Sequence, residues 1–198
     1  MNRFCIFVAS VVLACPLASF AQTGVSTARP VASVPAEARQ FDFLVGRWAI
    51  EARPKVSSLV AMIHGAPRLT GSWQASRSPD GMGVDDEMRI VDGSGNPLSL
   101  TRTHRGWVAA DKRWKISGTD VLRKHSSEST AQWIGGEMNV SGHSADPDGT
   151  PQLTRTRYFQ ITPNSFRMQQ DASSDNGRTW DEATIVIDAH RVAAPVSL

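Results

Sequence analysis

The chain has 198 residues, of which 40% are hydrophobic, 20% charged and 7% aromatic, a composition that fits one ordinary globular domain with a terminal extension and excludes a disordered or multi-domain chain. Its 21 Lys and Arg against 19 Asp and Glu leave a formal charge of +2, no electrostatic surplus for gripping nucleic acid or an anionic membrane. Beyond the N-terminus no run of about 18 apolar residues occurs, so no membrane-spanning helix is expected.

Residues 1–21 read as a secretory signal. Arg3 supplies the positive start, residues 4–13 the short apolar run, and Ser19-Phe20-Ala21 a small-x-small cleavage site. Both cysteines, Cys5 and Cys15, lie within it, so the exported domain carries no disulfide and must draw its stability from its core. A second reading makes Cys15 an acylated lipoprotein N-terminus, although Leu13 and Pro16 are poor neighbours for such a site. Residues 22–36, rich in Ala, Val, Ser, Thr and Pro without apolar periodicity, describe a flexible linker. The folded domain is expected over 37–192, with a short tail over 193–198; its roughly 155 residues suffice for a core.

Residues 36–40 can form one helical turn, after which no 11-residue window carries an apolar stripe at helical spacing. Short alternating segments recur instead at 47–53, 69–77, 84–91, 98–104, 114–121, 129–134, 137–144, 153–161, 166–172 and 179–191, which predicts about ten strands. Asp92-Gly93-Ser94-Gly95-Asn96-Pro97, Gly135-Gly136, Asp146-Pro147-Asp148-Gly149, Thr162-Pro163-Asn164 and Asp175-Asn176-Gly177 supply hairpin corners between them. Short connections imply antiparallel neighbours, and closure into an up-and-down β-barrel removes the two edges that an open sheet of this size would expose. A β-sandwich is the alternative, without the Cys and Trp spacing that would support it.

Gly46-Arg47-Trp48 heads the first strand. In a closed barrel a glycine here allows close backbone approach, and the indole can plug the barrel end beneath a basic side chain of the closing strand. The pattern resembles the Gly-x-Trp opening of the calycin superfamily, which includes lipocalins, fatty-acid-binding proteins and nitrobindin-like barrels. The run Phe41-Asp42-Phe43-Leu44-Val45-Gly46-Arg47-Trp48 further resembles an uncharacterised bacterial family opening with Phe-Asp-Phe-x-x-Gly-x-Trp. Gly81-Met82-Gly83-Val84-Asp85-Asp86-Glu87, Ile161-Thr162-Pro163-Asn164-Ser165 and the stretch 173–180 are similar to later parts of that family, while residues 56–69 depart from it. The resemblance implies a lipocalin-like barrel and carries over no activity.

Ser173-Ser174-Asp175-Asn176-Gly177-Arg178-Thr179-Trp180 fits the Ser-x-Asp-x-Gly-x-x-Trp pattern of an Asp-box hairpin, in which Asp175 ties the turn, Gly177 takes its positive-φ corner and Trp180 packs back over it. One copy makes a stabilised hairpin and no propeller. Asp85-Asp86-Glu87 is the only acid cluster suited to acid–base chemistry. Alternation groups Asp86 with Val84, Met88 and Ile90, so it is either a buried carboxylate that needs an arginine or hydroxyl partner or part of a solvated edge. Five scattered histidines make no zinc pattern, and His190, the one histidine placed as a nitrobindin-like haem ligand, shares parity with the more polar face of the last strand. No cofactor is expected. No nucleophile elbow or phosphate loop accompanies the Ser, His and Asp residues.

Trp73, Trp107, Trp114 and Trp133, with Arg102, Arg155 and Arg157 on neighbouring strands, can build a pocket for an amphiphilic acid. The expected ligand-binding residues are Trp73, Arg102, Trp133, Arg157 and Asp86, with Arg157 holding the polar end because Arg155, Arg157 and Phe159 share one face. The sequence therefore reads as an exported lipocalin-like barrel binding a small apolar or amphiphilic molecule. An isomerase or hydratase acting through Asp86, and an interaction module with a filled barrel, remain open.

Overall fold

A computed structural model describes residues 34–145 and 150–193. The expected export signal with its two cysteines, most of the expected linker, the expected corner at 146–149 and nearly all of the expected tail lie outside the described residues. Ten strands follow one another: β1 Gly46–Pro54, β2 Leu69–Arg77, β3 Gly83–Val91, β4 Pro97–Val108, β5 Arg113–Asp120, β6 His125–Ile134, β7 Glu137–Ala145, β8 Pro151–Phe159, β9 Ser165–Ser173 and β10 Asp181–Arg191. Each pairs antiparallel with its sequence neighbours, and β1 pairs with β10 to close the barrel.

Strand periodicity decides what faces inward. In β1, Trp48, Ile50 and Ala52 are buried while Arg47, Ala49 and Glu51 are exposed, as expected where side chains alternate across a sheet with one covered face. The strands are staggered. Trp48 lies opposite Trp73, Trp73 opposite Met88, Met88 opposite Thr101 and Thr101 opposite Asp120, so one inward row begins at the start of β1 and reaches the end of β5. Such a stagger is what closing a tilted sheet requires.

The two ends of the barrel differ. At the end where β1 begins, called here the plug end, two 3-10 helices, Ala36–Arg39 and Asp42–Leu44, bring in Phe41 and Leu44. Phe41 meets Trp114 edge-on at 4.8 Å and Trp48 meets Phe166 at 4.9 Å, the edge-to-face arrangement aromatic quadrupoles favour. The Trp48 Nε1–H donates to the Leu44 carbonyl at 2.7 Å, so the indole is buried without losing its hydrogen bond. Arg77 ties the entry segment down through Asp42.

At the opposite, mouth end, β1 and β2 are joined through a helix the sequence did not predict, α1, Ser58–His64, N-capped by the Ser57 hydroxyl. It has seven residues, shorter than the window in which an apolar stripe can register, and its centre, Leu59-Val60-Ala61-Met62-Ile63, is uniformly apolar. Two strands are longer than expected by four residues or more. β4 continues past His104 to Val108. β6 starts at His125 because the preceding turn is tight: Asp120 Oδ1 accepts from the amides of Leu122 and Arg123, and Lys124 takes φ 56°. β10 starts two residues late, at Asp181, because the Thr179 amide is held by Asp175.

Candidate functional site

The barrel interior changes character along its axis. Phe41, Leu44, Trp48, Trp73, Trp114, Met138, Tyr158 and Phe166 fill the plug end. Where the aromatic packing stops, β3 turns Asp86 inward between buried Val84 and Ile90, and β4 turns Arg105 inward beside it. The Asp86 side chain is 1% exposed and that of Arg105 5%, a depth at which neither charge is tolerable alone. They form an ion pair through Arg105 Nη1 and Asp86 Oδ2, and the Trp73 Nε1–H donates to Asp86 Oδ1 at 2.7 Å. The guanidinium carbon lies 5.3 Å from the Phe41 ring centroid and 6.0 Å from that of Trp73. Arg105 Nε has no acceptor among the described residues.

Toward the mouth the inward rows become small and hydroxyl-bearing: Thr101 and Thr103 on β4, Gly118 on β5, Ser127 and Ser129 on β6, Thr154 and Thr156 on β8. All but Gly118 are only half-buried. The hydroxyls of Thr103, Ser127, Ser129 and Thr156 make no hydrogen bond to another protein group among the described residues. Facing this polar wall are Ile50, Ala52, Met168, Ile185 and Ile187, so the interior near the mouth has a hydroxyl side and an aliphatic side.

Of the expected ligand-binding residues, Trp73 and Asp86 are brought together. The solvated-edge reading of Asp86 is overturned by its ion pair. Trp133 lies apart, at the plug end, 38% exposed and tilted against Phe43. The two arginines do not enter the barrel. Arg102 is on the outer face of β4, paired with Glu87, and Arg157 is on the outer face of β8, paired with Glu137 and stacked over Phe159. Arg155, Arg157 and Phe159 do share a face, but Tyr158 and Thr156 show that the inward side of β8 is the other one. Among the described residues, Arg105 is the basic residue buried inside. Reading β4 as ending at His104 hid it, although the strand's alternation carries on through Arg105 to Trp107.

The residues expected to be structural lie in two places, the start of β1 and the hairpin after β9. Gly46 has φ 130°, and a Cβ there would collide with the Arg191 guanidinium, which lies 4.1 Å from the Trp48 ring and donates to the Val45 carbonyl at 2.9 Å. In the hairpin after β9, Asp175 accepts from the Thr179 amide at 2.9 Å and hydroxyl at 2.6 Å, and the Ser173 hydroxyl accepts from the Gly177 amide at 2.8 Å. Gly177 has φ 82° beneath the Trp180 ring. Arg155 covers that ring from 4.5 Å. The bonds from Thr179 and Ser173 hold the Asp175 carboxyl at about 2.

Two concavities lie along the barrel wall. One of about 850 Å³ runs along β4–β8, lined by outward Lys115, Glu128, His143 and Arg155, by Trp180 and also by Ser129 and Thr154 of the inward rows, and one of about 780 Å³ runs along β2–β5 and includes Asp86 and Thr103; both are lined by His104 and Ser117. The His104 Nδ1 and the Ser78 hydroxyl each bond Asp85, at 2.6 and 2.7 Å, which lowers the Asp85 carboxyl from its usual value, Ser78 most. Ser117 stands opposite His104 in the ladder, but no hydrogen bond joins them among the described residues, so the row is not a catalytic triad. His190 is exposed on the outer face of β10. No group of three or more His, Cys, Asp or Glu among the described residues is placed to hold a metal ion. The chain matches no protein-family model and no curated protein.

Proposed function

We propose that this protein is an exported, lipocalin-like carrier that takes a small amphiphilic molecule into the mouth half of its barrel. The observation that carries the reading is the split interior: a sealed aromatic plug at one end, and at the other half-buried hydroxyls of β4, β6 and β8 facing an aliphatic wall, with no partner among the described residues for the hydroxyls of Thr103, Ser127, Ser129 or Thr156. Hydroxyls on one side and methyl groups on the other suit a ligand with one polar and one apolar flank, since binding sites are mostly apolar with a few placed polar groups. Asp86 and Arg105 form the floor. Both Asp86 oxygens face a donor, Trp73 on one side and Arg105 on the other, so this carboxylate is committed to structure and is a poor acid–base catalyst; that favours binding over an isomerase or hydratase.

The test is native mass spectrometry of the exported protein from its own host, followed by titration of delipidated protein with fatty acids and fatty alcohols of several lengths, read by tryptophan emission and melting temperature. A bound amphiphile, a rise in melting temperature, and loss of both in Ser129→Leu, which crowds the hydroxyl side, are expected. No bound mass and no response up to the solubility limit would leave the filled-barrel interaction module as the better account.

A further inference from the structure

The mouth end carries apolar side chains that nothing among the described residues covers. In α1, Leu59, Met62 and Ile63 are 61%, 78% and 62% exposed, whereas a helix apolar on all sides is ordinarily buried. At the same end the β5–β6 turn presents exposed Val121 and Leu122, followed directly by exposed Arg123 and Lys124. The connection from α1 to β2 adds exposed Arg68. Arg68 and Lys124 have no ion-pair partner among the described residues, and Arg123 reaches Asp120 only at 3.9 Å. The described acids of this rim already have partners: Asp92 holds the amides of Ser94 and Asn96, Asp120 holds those of Leu122 and Arg123 together with the Ser99 hydroxyl, Asp175 holds Thr179, and the exposed Asp181 and Glu182 at the start of β10 pair with Lys55 and Arg155.

We infer that the mouth end docks on an anionic lipid surface, with α1 and the β5–β6 turn entering the headgroup boundary while Arg68, Arg123 and Lys124 meet lipid phosphates. Two separate apolar tips, each with a basic residue close behind in the chain, match the way interfacial segments divide between acyl chains and headgroups. A protein partner would more commonly meet one continuous patch with aromatic anchors. The near-neutral whole molecule does not oppose this, because the attraction is set by charges within about a Debye length of the surface and not by the total. The inference deepens the carrier reading by placing the ligand's entrance against a bilayer, yet docking is measured on its own and stands or falls whether or not the barrel holds a ligand.

The experiment is flotation of the full exported chain with vesicles of phosphatidylcholine alone and of phosphatidylcholine mixed with phosphatidylglycerol, at low and physiological salt. Binding to the mixed vesicles, weaker at higher salt and nearly absent on phosphatidylcholine, is expected. Met62→Ser with Ile63→Ser should reduce it at least about tenfold, and Arg123→Gln with Lys124→Gln by about fivefold for each charge. All four side chains are exposed, so the circular dichroism spectrum and melting temperature of each variant should match wild type. The inference is overturned if wild type fails to float with either vesicle, if both variants float as wild type does, or if sedimentation shows a dimer that Met62→Ser with Ile63→Ser dissociates, which would assign α1 to a second copy of the chain.

Discussion

Asp86 shares the inward side of β3 with Val84 and Ile90, so its charge has to be met within the barrel, and Arg105 meets it. Such a pair adds little net stability, because desolvating two ions offsets their attraction, but removing one partner strands the other. Asp86→Ala is therefore expected to cost about 3–5 kcal/mol, and Asp86→Leu combined with Arg105→Met to recover most of that loss. Denaturant midpoints of the single and double variants decide it; a single variant as stable as wild type would mean that Arg105 finds water. Trp48 is the corresponding apolar case. It is 1% exposed, bonded to Leu44 and covered by Arg191, and Trp48→Ala should cost about 3–5 kcal/mol, with Gly46→Val also destabilising because it displaces the arginine. An unchanged midpoint for Trp48→Ala would remove the plug role. The parity of Asp86 and the plug were both legible in the sequence, since each depends on residues a few positions apart. Arg105 was not, because it lies beyond residue 104, where the expected strand ends.

At the scale of elements, hairpins were the most readable parts, and the Asp-box hairpin shows why. Its bonds all join residues within four positions of one another, from Ser173 to Gly177 and from Asp175 to Thr179, so its chemistry is complete in one short segment. The Asp175 carboxyl is lowered to about 2 by its bonds to the Thr179 hydroxyl and amide and the Ser173 hydroxyl. A carboxylate with a depressed folded pKa contributes stability that is present above its usual value and lost as pH falls through the folded one. The hairpin should thus hold down to about pH 4 and loosen between there and about 2, with amide exchange at Gly177 and Thr179 rising over that range. Asp175→Asn should show the faster exchange already at neutral pH; equal exchange in variant and wild type would place the turn's stability elsewhere. What could not be read locally is which side of a strand faces in. Arg155, Arg157 and Phe159 form one face of β8 as their spacing requires, but only its neighbours, Met138 across from Tyr158 and Val140 across from Thr156, make that face the outer one. α1 was missed for the opposite reason, since nothing among the described residues covers its apolar side chains to impose a stripe.

For the whole molecule, closure rests on one seam, where the first strand meets the last. Seven residue pairs, from Trp48 with Arg191 to Pro54 with Ile185, form the β1–β10 ladder, and joining strands so distant in sequence carries a loop-closure cost that local hairpins do not. The seam is reinforced on both faces. Arg191 lies over Trp48 at the plug end, and on the outer wall Asp188 of β10 accepts from Arg53 of β1 and, at 2.6 Å, from the Arg167 Nε of β9. One carboxylate thus ties three strands. Burial works to raise its pKa, and the bonds from Arg167 and Arg53 outweigh that, leaving it below the usual value. Asp171, bonded to Arg155 and the Ala183 amide against a like burial, is lowered too and ties β8 to β9 and β10. By the same sign, stability from both acids is fully present above the usual carboxylate range near pH 4 and is lost on acidification below it. The denaturation midpoint should therefore be nearly flat from about pH 5 to 8 and fall steeply below about pH 4. Asp188→Asn should flatten part of that fall. At neutral pH it should cost only about 1 kcal/mol, because Arg53 and Arg167 are more than a third exposed and their attraction is screened. Hydrogen exchange separates this from a general loss of stability: amides of β1 and β10 should open first in Asp188→Asn, ahead of the β5–β6 hairpin on the far side. If acidification or Asp188→Asn opened the far hairpin as early as the seam, the barrel would be unfolding as one unit and the seam would hold no special share of its closure.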